Sequence, residues 1–281
     1  MPMIRPPAVA GSWYPGSRGA LEQEVDSLLA AARVPALSGT VAVIAPHAGM
    51  MFSGGVAAHA YRAVASEDFD VIVLVGPSHY VAFDGVAIHD RGGFETPLGV
   101  AEIDEELAAT MIAASAIIRP HPTAHVREHS LEMHLPFIQR VLSARIVPLV
   151  IGYQTRSTIL ALADALSRTL AGRRALIAAS TDLSHYFEAE RAEKLDGLVA
   201  RFVERFDPDG LLDEYESYPE HERGRYVACG GGAAIAAMIA ARDLGAGRAH
   251  VLRYAHSGDV SGDRTAVVGY LAAAFSRPRA H

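Results

Sequence analysis

Three histidines stand just after short apolar segments, where their imidazoles could serve acid–base or metal chemistry. Each segment has the length and composition of a buried strand. Because open α/β sheets bind ligands at the carboxyl ends of their strands, we expect the side chains that follow to meet at one edge of a sheet. The residues expected at this edge are His47, His79, Asp182 and His185, which follow VAVIA (41–45), DVIVLV (70–75) and ALIAA (175–179).

Cys229 is the only cysteine, and three glycines follow it before an alanine-rich helix predicted over 232–243. The positive end of a helix dipole favours a thiolate, and glycines let backbone or ligand approach closely. A buried, inert cysteine in a tight helix–sheet contact is the alternative interpretation. Beside the histidine-rich edge we favour a functional thiol. A single cysteine excludes an intrachain disulfide and a zinc site with three or four cysteines.

The segment EHSLEMHLP (128–136) contains two more histidines but no HExxH zinc motif. His129 and His134 are five residues apart, so they would not share one face of a helix. We expect Glu132 and His134 to hold structure, and His121 and His125 to lie in a solvated loop. Further residues expected to line the site are His129, Glu128 and Ser78.

Alternation of strand-like and helix-like segments predicts an α/β fold. We expect a single domain over 1–281 with a central, largely parallel or mixed β-sheet and helices on both faces. We expect Trp13 to pack the N-terminal arm on the sheet, 215–226 to be a surface loop or partner contact, and 256–263 to be a turn-rich loop. Further helices are predicted over 21–33, 54–64, 103–114, 130–142, 157–170 and 189–206, with another opening near 207 and with Pro136 kinking or breaking the helix over 130–142. Further strands are predicted over 86–88, 146–151, 250–254 and 265–272.

Composition restricts the class of protein. The 281 residues are 50% hydrophobic and 20% charged, as in a soluble globular protein, and the net charge of -7 argues against nucleic acid as a partner. We find no apolar segment of signal-peptide or membrane-spanning length, so we expect a cytoplasmic protein with no membrane association. P-loop, GxGxxG and GxSxG motifs are missing, which speaks against a nucleotide cofactor and a serine hydrolase.

Nine short segments spread over nearly the whole chain resemble one family. They are GSWYP (11–15), IAPHAGMMFSG (44–54), AAHAY (57–61), GPSHY (76–80), TPLG (96–99), EHSLEMHLPF (128–137), STDLSHY (180–186), ACGGG (228–232) and DRTAVVGY (263–270). Together they resemble the Memo family, called AmmeMemoRadiSam system protein B in prokaryotes. That family is similar in fold to class III (LigB-type) extradiol dioxygenases, which are non-haem iron enzymes. The resemblance implies a LigB-like fold and a functional association with radical-SAM and AMMECR1-like proteins.

The same resemblance implies a metal site built from His47, His79 and Cys229, with Asp182 and His185 completing the pocket as catalytic residues. Where the dioxygenases use a carboxylate as third ligand, Cys229 stands here, and this departure speaks against ring cleavage. A thiolate makes the ligand set softer, which favours iron or copper, with zinc as the alternative. His185 would be the general acid/base, and Asp182 would orient a ligand histidine or bind the metal.

Three functions remain open at this point. The first is a metal-dependent redox enzyme acting on a small molecule. The second is an amidase-like hydrolase whose nucleophile is Cys229, activated by His185 or His79 and oriented by Asp182. The third is a non-catalytic binding or signalling protein on a dioxygenase-like fold, since eukaryotic members of the resembled family are linked to phosphotyrosine-containing peptides.

Overall fold

The apolar segments of the sequence form the centre of a mixed β-sheet. The computed structural model describes residues 3–278, so the ends of the predicted domain, 1–2 and 279–281, lie outside the described residues. Every residue of the segments 40–45 and 71–77 is buried. Because neighbouring residues of a strand point to opposite faces, strands buried throughout must be covered by helices on both faces.

Two sheets occur within residues 3–278, with nine and three strands. The large sheet has the order β10-β12-β2-β9-β3-β8-β4-β7, with β11 also paired to β12, and the small sheet has the order β1-β5-β6. Strands β2, β9, β3 and β8 are mutually parallel neighbours, whereas β12 and β4 run antiparallel beside them. The strands are β1 (Ile4–Arg5), β2 (Thr40–Ala45), β3 (Val71–Pro77), β4 (Val86–Ile88), β5 (Gly93–Thr96), β6 (Gly99–Glu102), β7 (Ile118–Pro120), β8 (Arg145–Ile151), β9 (Ala175–Ser180), β10 (His185–Phe187), β11 (Arg248–His256) and β12 (Val267–Ser276).

Helices cover the large sheet. Helix α2 packs on β2, β11 and β12 beside α1 and α5, whereas α10 packs on β2, β3 and β9 beside α6 and α8. The helices are α1 (Arg18–Ala31), α2 (Met50–Val64), α3 (Glu105–Ala114), α4 (Pro122–Val126), α5 (Leu135–Val141), α6 (Arg156–Leu170), α7 (Ala189–Glu204), α8 (Pro208–Ser217), α9 (Glu220–Tyr226), α10 (Gly231–Asp243) and α11 (Gly258–Ser261). The predicted fold class, an α/β protein with a mixed sheet flanked by helices, is confirmed.

Within the described residues, no single helix has both the length and the apolar character needed to cross a membrane. The pair α9 and α10 passes that test only when taken together, and the two helices are bent by 79° at their junction.

Some local predictions were only partly right, and others were wrong. The segment 130–142, predicted as a helix that Pro136 kinks or breaks, is a 3₁₀ turn, Glu132–His134, followed by α5, and the break lies just before Pro136 because proline fits only the first turn of a helix. The surface loop predicted over 215–226 is instead the end of α8 followed by α9. His125 lies on α4 and is 1% exposed, so the solvated-loop interpretation was wrong for this residue.

Two loop predictions had mixed outcomes. The turn-rich segment 256–263 contains the short helix α11, and beyond it the Asp263 carboxylate accepts hydrogen bonds from the backbone N–H and hydroxyl of Thr265, as in an Asx turn. Trp13 packs against the core, as predicted, but its ring also lies 4.3 Å from the ring of His129. It therefore borders the site as well.

Candidate metal centre

Strand order brings the predicted residues to one edge of the large sheet. Strands β2, β9 and β3 are parallel neighbours, so the segments that carry His47, Asp182 and His79 leave the sheet side by side. His185 is the first residue of β10, which is separated from β2 by β12. Cys229 lies in the segment just before α10. The potential ligand atoms of His47, His79 and Cys229 all lie within 4.8 Å of one another.

His47 is fixed through both its ring and its backbone. The Nδ1 atom lies 2.6 Å from the hydroxyl of Ser180, and Nε2 lies 3.3 Å from the Cys229 sulphur. The backbone N–H of His47 donates to the Asp182 carboxylate at 2.8 Å. Burial, and then the neighbouring His79 and His129 imidazoles, lower the pKa of His47 well below 6.5. The ring is therefore neutral at neutral pH, as a metal ligand must be.

His79 has a carboxylate behind it. Its Nδ1 lies 2.9 Å from Glu128 Oε1, and its backbone N–H donates to Oε2 at 2.6 Å. Burial raises the pKa of Glu128, but the hydrogen bond and charge of His79 lower it by more, to about 2. The ionised carboxylate can only accept, so Nδ1–H of His79 is the donor and Nε2 faces the site. This carboxylate–histidine pair is the arrangement that orients histidine ligands in metal sites.

Without a metal ion, the His79 imidazole holds a proton more tightly than an ordinary histidine does. Burial lowers its pKa, but the nearby Cys229 sulphur and the Glu128 carboxylate raise it by more, to about 10. A metal ion at Nε2 would therefore compete with a proton, so metal loading at this residue is coupled to proton release.

The Cys229 thiol is held at the junction of β9 and α10. The backbone N–H of Asp182 donates to the sulphur at 3.3 Å, and the backbone N–H of Cys229 donates to the Asp182 carbonyl at 3.2 Å. A Cβ atom at Gly230 would overlap the Ser180 carbonyl oxygen. The first of the three glycines thus permits close contact between protein segments, which brings the sulphur to the end of β9.

Asp182 and His185 also lie close to the Cys229 sulphur. Together with Cys229 they form a second group whose potential ligand atoms are within 4.8 Å of one another. His185 Nδ1 lies 2.7 Å from the Leu183 carbonyl, an acceptor, so Nδ1–H donates and Nε2 carries the lone pair. Burial raises the pKa of Asp182, whose Oδ1 accepts the backbone N–H groups of His47 and Ala48. Asp182 therefore holds His47 through the backbone, and its Oδ2 also lies 4.0 Å from His47 Nε2, which places a carboxylate beside the ligand atom.

His129 lies beside the site and is 6% exposed. Its ring stacks on His79 at 4.5 Å, and burial together with His79 lowers its pKa to about 4. The other side of the ring contacts Trp13 and the hydroxyl of Tyr80, which is 3.4 Å from Nδ1. The Ser78 hydroxyl donates to the Val81 carbonyl at 2.6 Å and so closes the turn after β3, next to His79.

A cavity of about 540 Å³ is lined by Cys229, but by none of the other four residues His47, His79, Asp182 and His185. Sequence reasoning did not identify its wall, because the residues come from the end of β8, from α8 and from α9. They include Tyr153, Gln154, Tyr215 and Arg223. Ser180 and Glu128 each form a hydrogen bond with the Nδ1 atom of a site histidine. Glu128 was expected near the site, whereas Ser180 was included only in the segment STDLSHY (180–186).

The donor set fits a metal ion. Two histidine Nε2 atoms and one sulphur converge, and each histidine has its Nδ1 in a hydrogen bond. Around a tetrahedral zinc ion, with bonds of about 2.0–2.1 Å to nitrogen and 2.3 Å to sulphur, the two ligand atoms would be about 3.6 Å apart. The distance from His47 Nε2 to the Cys229 sulphur is 3.3 Å, close to that value.

Comparison with known proteins agrees with the resemblance of the sequence motifs. The family model described as Memo-like protein matches residues 5–274. A MEMO1 family protein of Methanothermobacter thermautotrophicus is 40% identical over 281 residues, covering 95% of this chain and 99% of that protein. Another, from Methanosarcina mazei, is 38% identical over 275 residues, covering 96% and 98%. On the strength of the matched model and these nearly full-length similarities, the chain belongs to the Memo family.

Proposed function

We propose that this protein is a metal-dependent redox enzyme that binds iron or copper, with zinc as the alternative, through His47, His79 and Cys229. The observation that carries the proposal is the convergence of these three ligand atoms within 4.8 Å, with both histidines held from behind by hydrogen bonds. Two imidazoles and a thiolate form a soft set that leaves coordination positions open for a substrate. A bound iron or copper ion would supply the electron-transfer chemistry.

The protein's own residues would prepare the substrate. His185 carries a lone pair on Nε2 and is partly exposed, so it can take a proton from a small molecule bound near the sulphur. Asp182 keeps the His47 segment in place. The Trp13 ring packs against His129 beside the site, and the 540 Å³ cavity that Cys229 lines would hold the substrate.

A cysteine-nucleophile hydrolase is the second candidate. The observation in its favour is the 3.3 Å contact between the Cys229 sulphur and His47 Nε2, which is the reach of a nucleophile and its base. His47 would be a further candidate for the base in that reaction, beside the His185 and His79 expected from the sequence, since a ring nitrogen of each of those also lies within 4.8 Å of the sulphur. We rank this function second because a second histidine with a carboxylate behind it, His79, exceeds what a thiol–imidazole pair needs.

Metal analysis of anaerobically purified protein tests the proposal. We expect about one equivalent of iron or copper in the unaltered protein and a large loss in Cys229→Ser and in His47→Ala. Ser53→Ala, which removes a hydroxyl bonded only to the Ala48 carbonyl, is the control and should keep its metal. Metal content unaffected by Cys229→Ser would overturn the ligand assignment. Full turnover of an amide substrate in the presence of chelator would favour the hydrolase.

The cellular setting is part of the proposal. A reducing compartment such as the cytoplasm suits the single thiol, which would stay available as a ligand. Association with radical-SAM and AMMECR1-like proteins remains a prediction from the resemblance. A metal-free protein that still bound such a partner would favour the non-catalytic binding function.

A further inference from the structure

A chain of buried hydrogen bonds connects the two histidines of the candidate metal centre from behind. We propose that Ser180 is a positioning residue that selects the tautomer of His47, so that Nε2 presents its lone pair to a metal ion. The inference rests on the proposed function, in which Nε2 needs its lone pair to bind the metal ion. Ser180 is the last residue of β9 and is completely buried.

The hydroxyl of Ser180 has one proton and two close partners. It donates to the backbone carbonyl of Ser130 at 2.6 Å, and that carbonyl can only accept. Its other partner is His47 Nδ1, also at 2.6 Å. Since the serine proton is already committed, the hydroxyl oxygen must accept from His47, and Nδ1 must carry the hydrogen. A neutral imidazole then has its lone pair on Nε2.

The opposite tautomer would disable the ligand. With hydrogen on Nε2, His47 would donate toward the Cys229 sulphur 3.3 Å away and have no lone pair facing the other donors. Nδ1 would then face the Ser180 oxygen with a lone pair, and one of the two acceptors, Nδ1 or the Ser130 carbonyl, would lose its donor. An unpaired buried polar atom costs about 1–3 kcal/mol, which is enough to select one tautomer strongly.

The chain continues to the second histidine. The backbone N–H of Ser130 donates to Glu128 Oε1 at 2.9 Å, and the same oxygen accepts Nδ1–H of His79. Both rings are therefore oriented from a single backbone position, residue 130. The two supports differ in charge, since His79 has a carboxylate and His47 has a neutral hydroxyl. The tautomer of His47 is consequently set only by which partner donates in its hydrogen bond with Ser180. A substitution of Ser180 should therefore affect His47 directly.

Two variants of Ser180 separate the effect of the hydroxyl group from the effect of side-chain size. Ser180→Ala removes the acceptor, whereas Ser180→Thr keeps a hydroxyl at the same position. Thr40→Val is the matched control, because the buried Thr40 hydroxyl on β2 has no hydrogen-bond partner among residues 3–278. The first readout is the ¹⁵N NMR spectrum of metal-free, ¹⁵N-histidine-labelled protein at neutral pH, with the His47 signals assigned by their loss in His47→Ala. The second is the affinity for Co²⁺, followed by thiolate-to-metal absorption.

We expect the unaltered protein and Thr40→Val to have His47 in the Nδ1–H form. In Ser180→Ala we expect a mixture or the Nε2–H form, together with Co²⁺ affinity about 10–100-fold weaker, the usual cost of losing a group that orients a metal ligand. Ser180→Thr should recover most of both. An Nε2–H tautomer in the unaltered protein, or Co²⁺ affinity in Ser180→Ala within twofold of normal, would overturn the inference.

The two proposals fail in different ways. Absence of Co²⁺ binding by the unaltered protein would refute the proposed function, while the tautomer spectrum would still decide the role of Ser180. If Ser180→Ala does not fold, the tautomer of the unaltered protein and the affinity of Ser180→Thr decide the inference instead.

Discussion

Glu128 offers a sharp test of how the candidate metal centre is held together. Its carboxylate accepts three hydrogen bonds, from the ring and backbone N–H of His79 and from the backbone N–H of Ser130. A glutamine at this position has one accepting oxygen and one donating NH₂ group. Whichever way the amide turns, its NH₂ group must face at least one of those N–H donors. Glu128→Gln should therefore loosen His79 without changing the size of the side chain.

The expected effect is a metal affinity about 10–100-fold weaker, which corresponds to about 1.4–2.7 kcal/mol. The single tryptophan, Trp13, lies beside His129 and gives a local fluorescence signal for anaerobic Co²⁺ titration. Glu67→Gln is the matched control, because Glu67 also accepts backbone N–H groups, those of Gly39 and Thr40 at the start of β2. Affinity of Glu128→Gln within twofold of that of the control would refute the reasoning.

The remaining predictions concern stability. Burial lowers the pKa values of His125 and His134 to about 3, so as pH falls below 6.5 the unfolded state takes up protons first. The free energy of unfolding should therefore fall from pH 7 to pH 5 by about 2 kcal/mol per histidine. In urea titrations this fall should be smaller for His134→Gln than for the unaltered protein, and an equal fall in both would contradict the prediction. Glu132→Gln should lower the free energy of unfolding by about 3–5 kcal/mol, because the buried guanidinium of Arg5 loses its charged partner. A loss of under about 1 kcal/mol in urea titrations would count against this prediction. Gly230→Ala should lower the free energy of unfolding by about 1–3 kcal/mol, because the added methyl group would overlap the Ser180 carbonyl oxygen. Unchanged stability in urea titrations would show that the backbone can shift to make room for it.

Much of the candidate site could be found in the sequence because its signals are local. A short apolar segment predicts a buried strand from its own residues, and a polar residue directly after it is placed at a strand end. This is why His47, His79 and Asp182 could be proposed together. Cys229 stood out because it is unique and precedes glycines and an alanine-rich helix.

Other parts of the site depend on residues far apart in the chain. His125 looked solvated, yet it is buried against the rings of His89 and Phe94, which no local pattern indicates. Trp13 borders the site through His129, 116 residues further along the chain. Pro136 was visible, but whether it kinks a helix or begins one is set by the backbone around it.

The sequence by itself determined the buried apolar strands β2, β3, β8 and β9, the residues at their ends and the single thiol, because each depends on neighbours within a few residues; the short strands β1, β5, β6, β7 and β10 were not predicted. Tertiary structure decided that β9 lies between β2 and β3, since pairing of parallel strands is a contact between distant segments. That order brings Ser180 behind His47 and the segment 128–130 behind His79. The residue types of the proposed ligands are thus a property of the sequence. The orientation of the two imidazole rings comes from hydrogen bonds that form only in the folded protein.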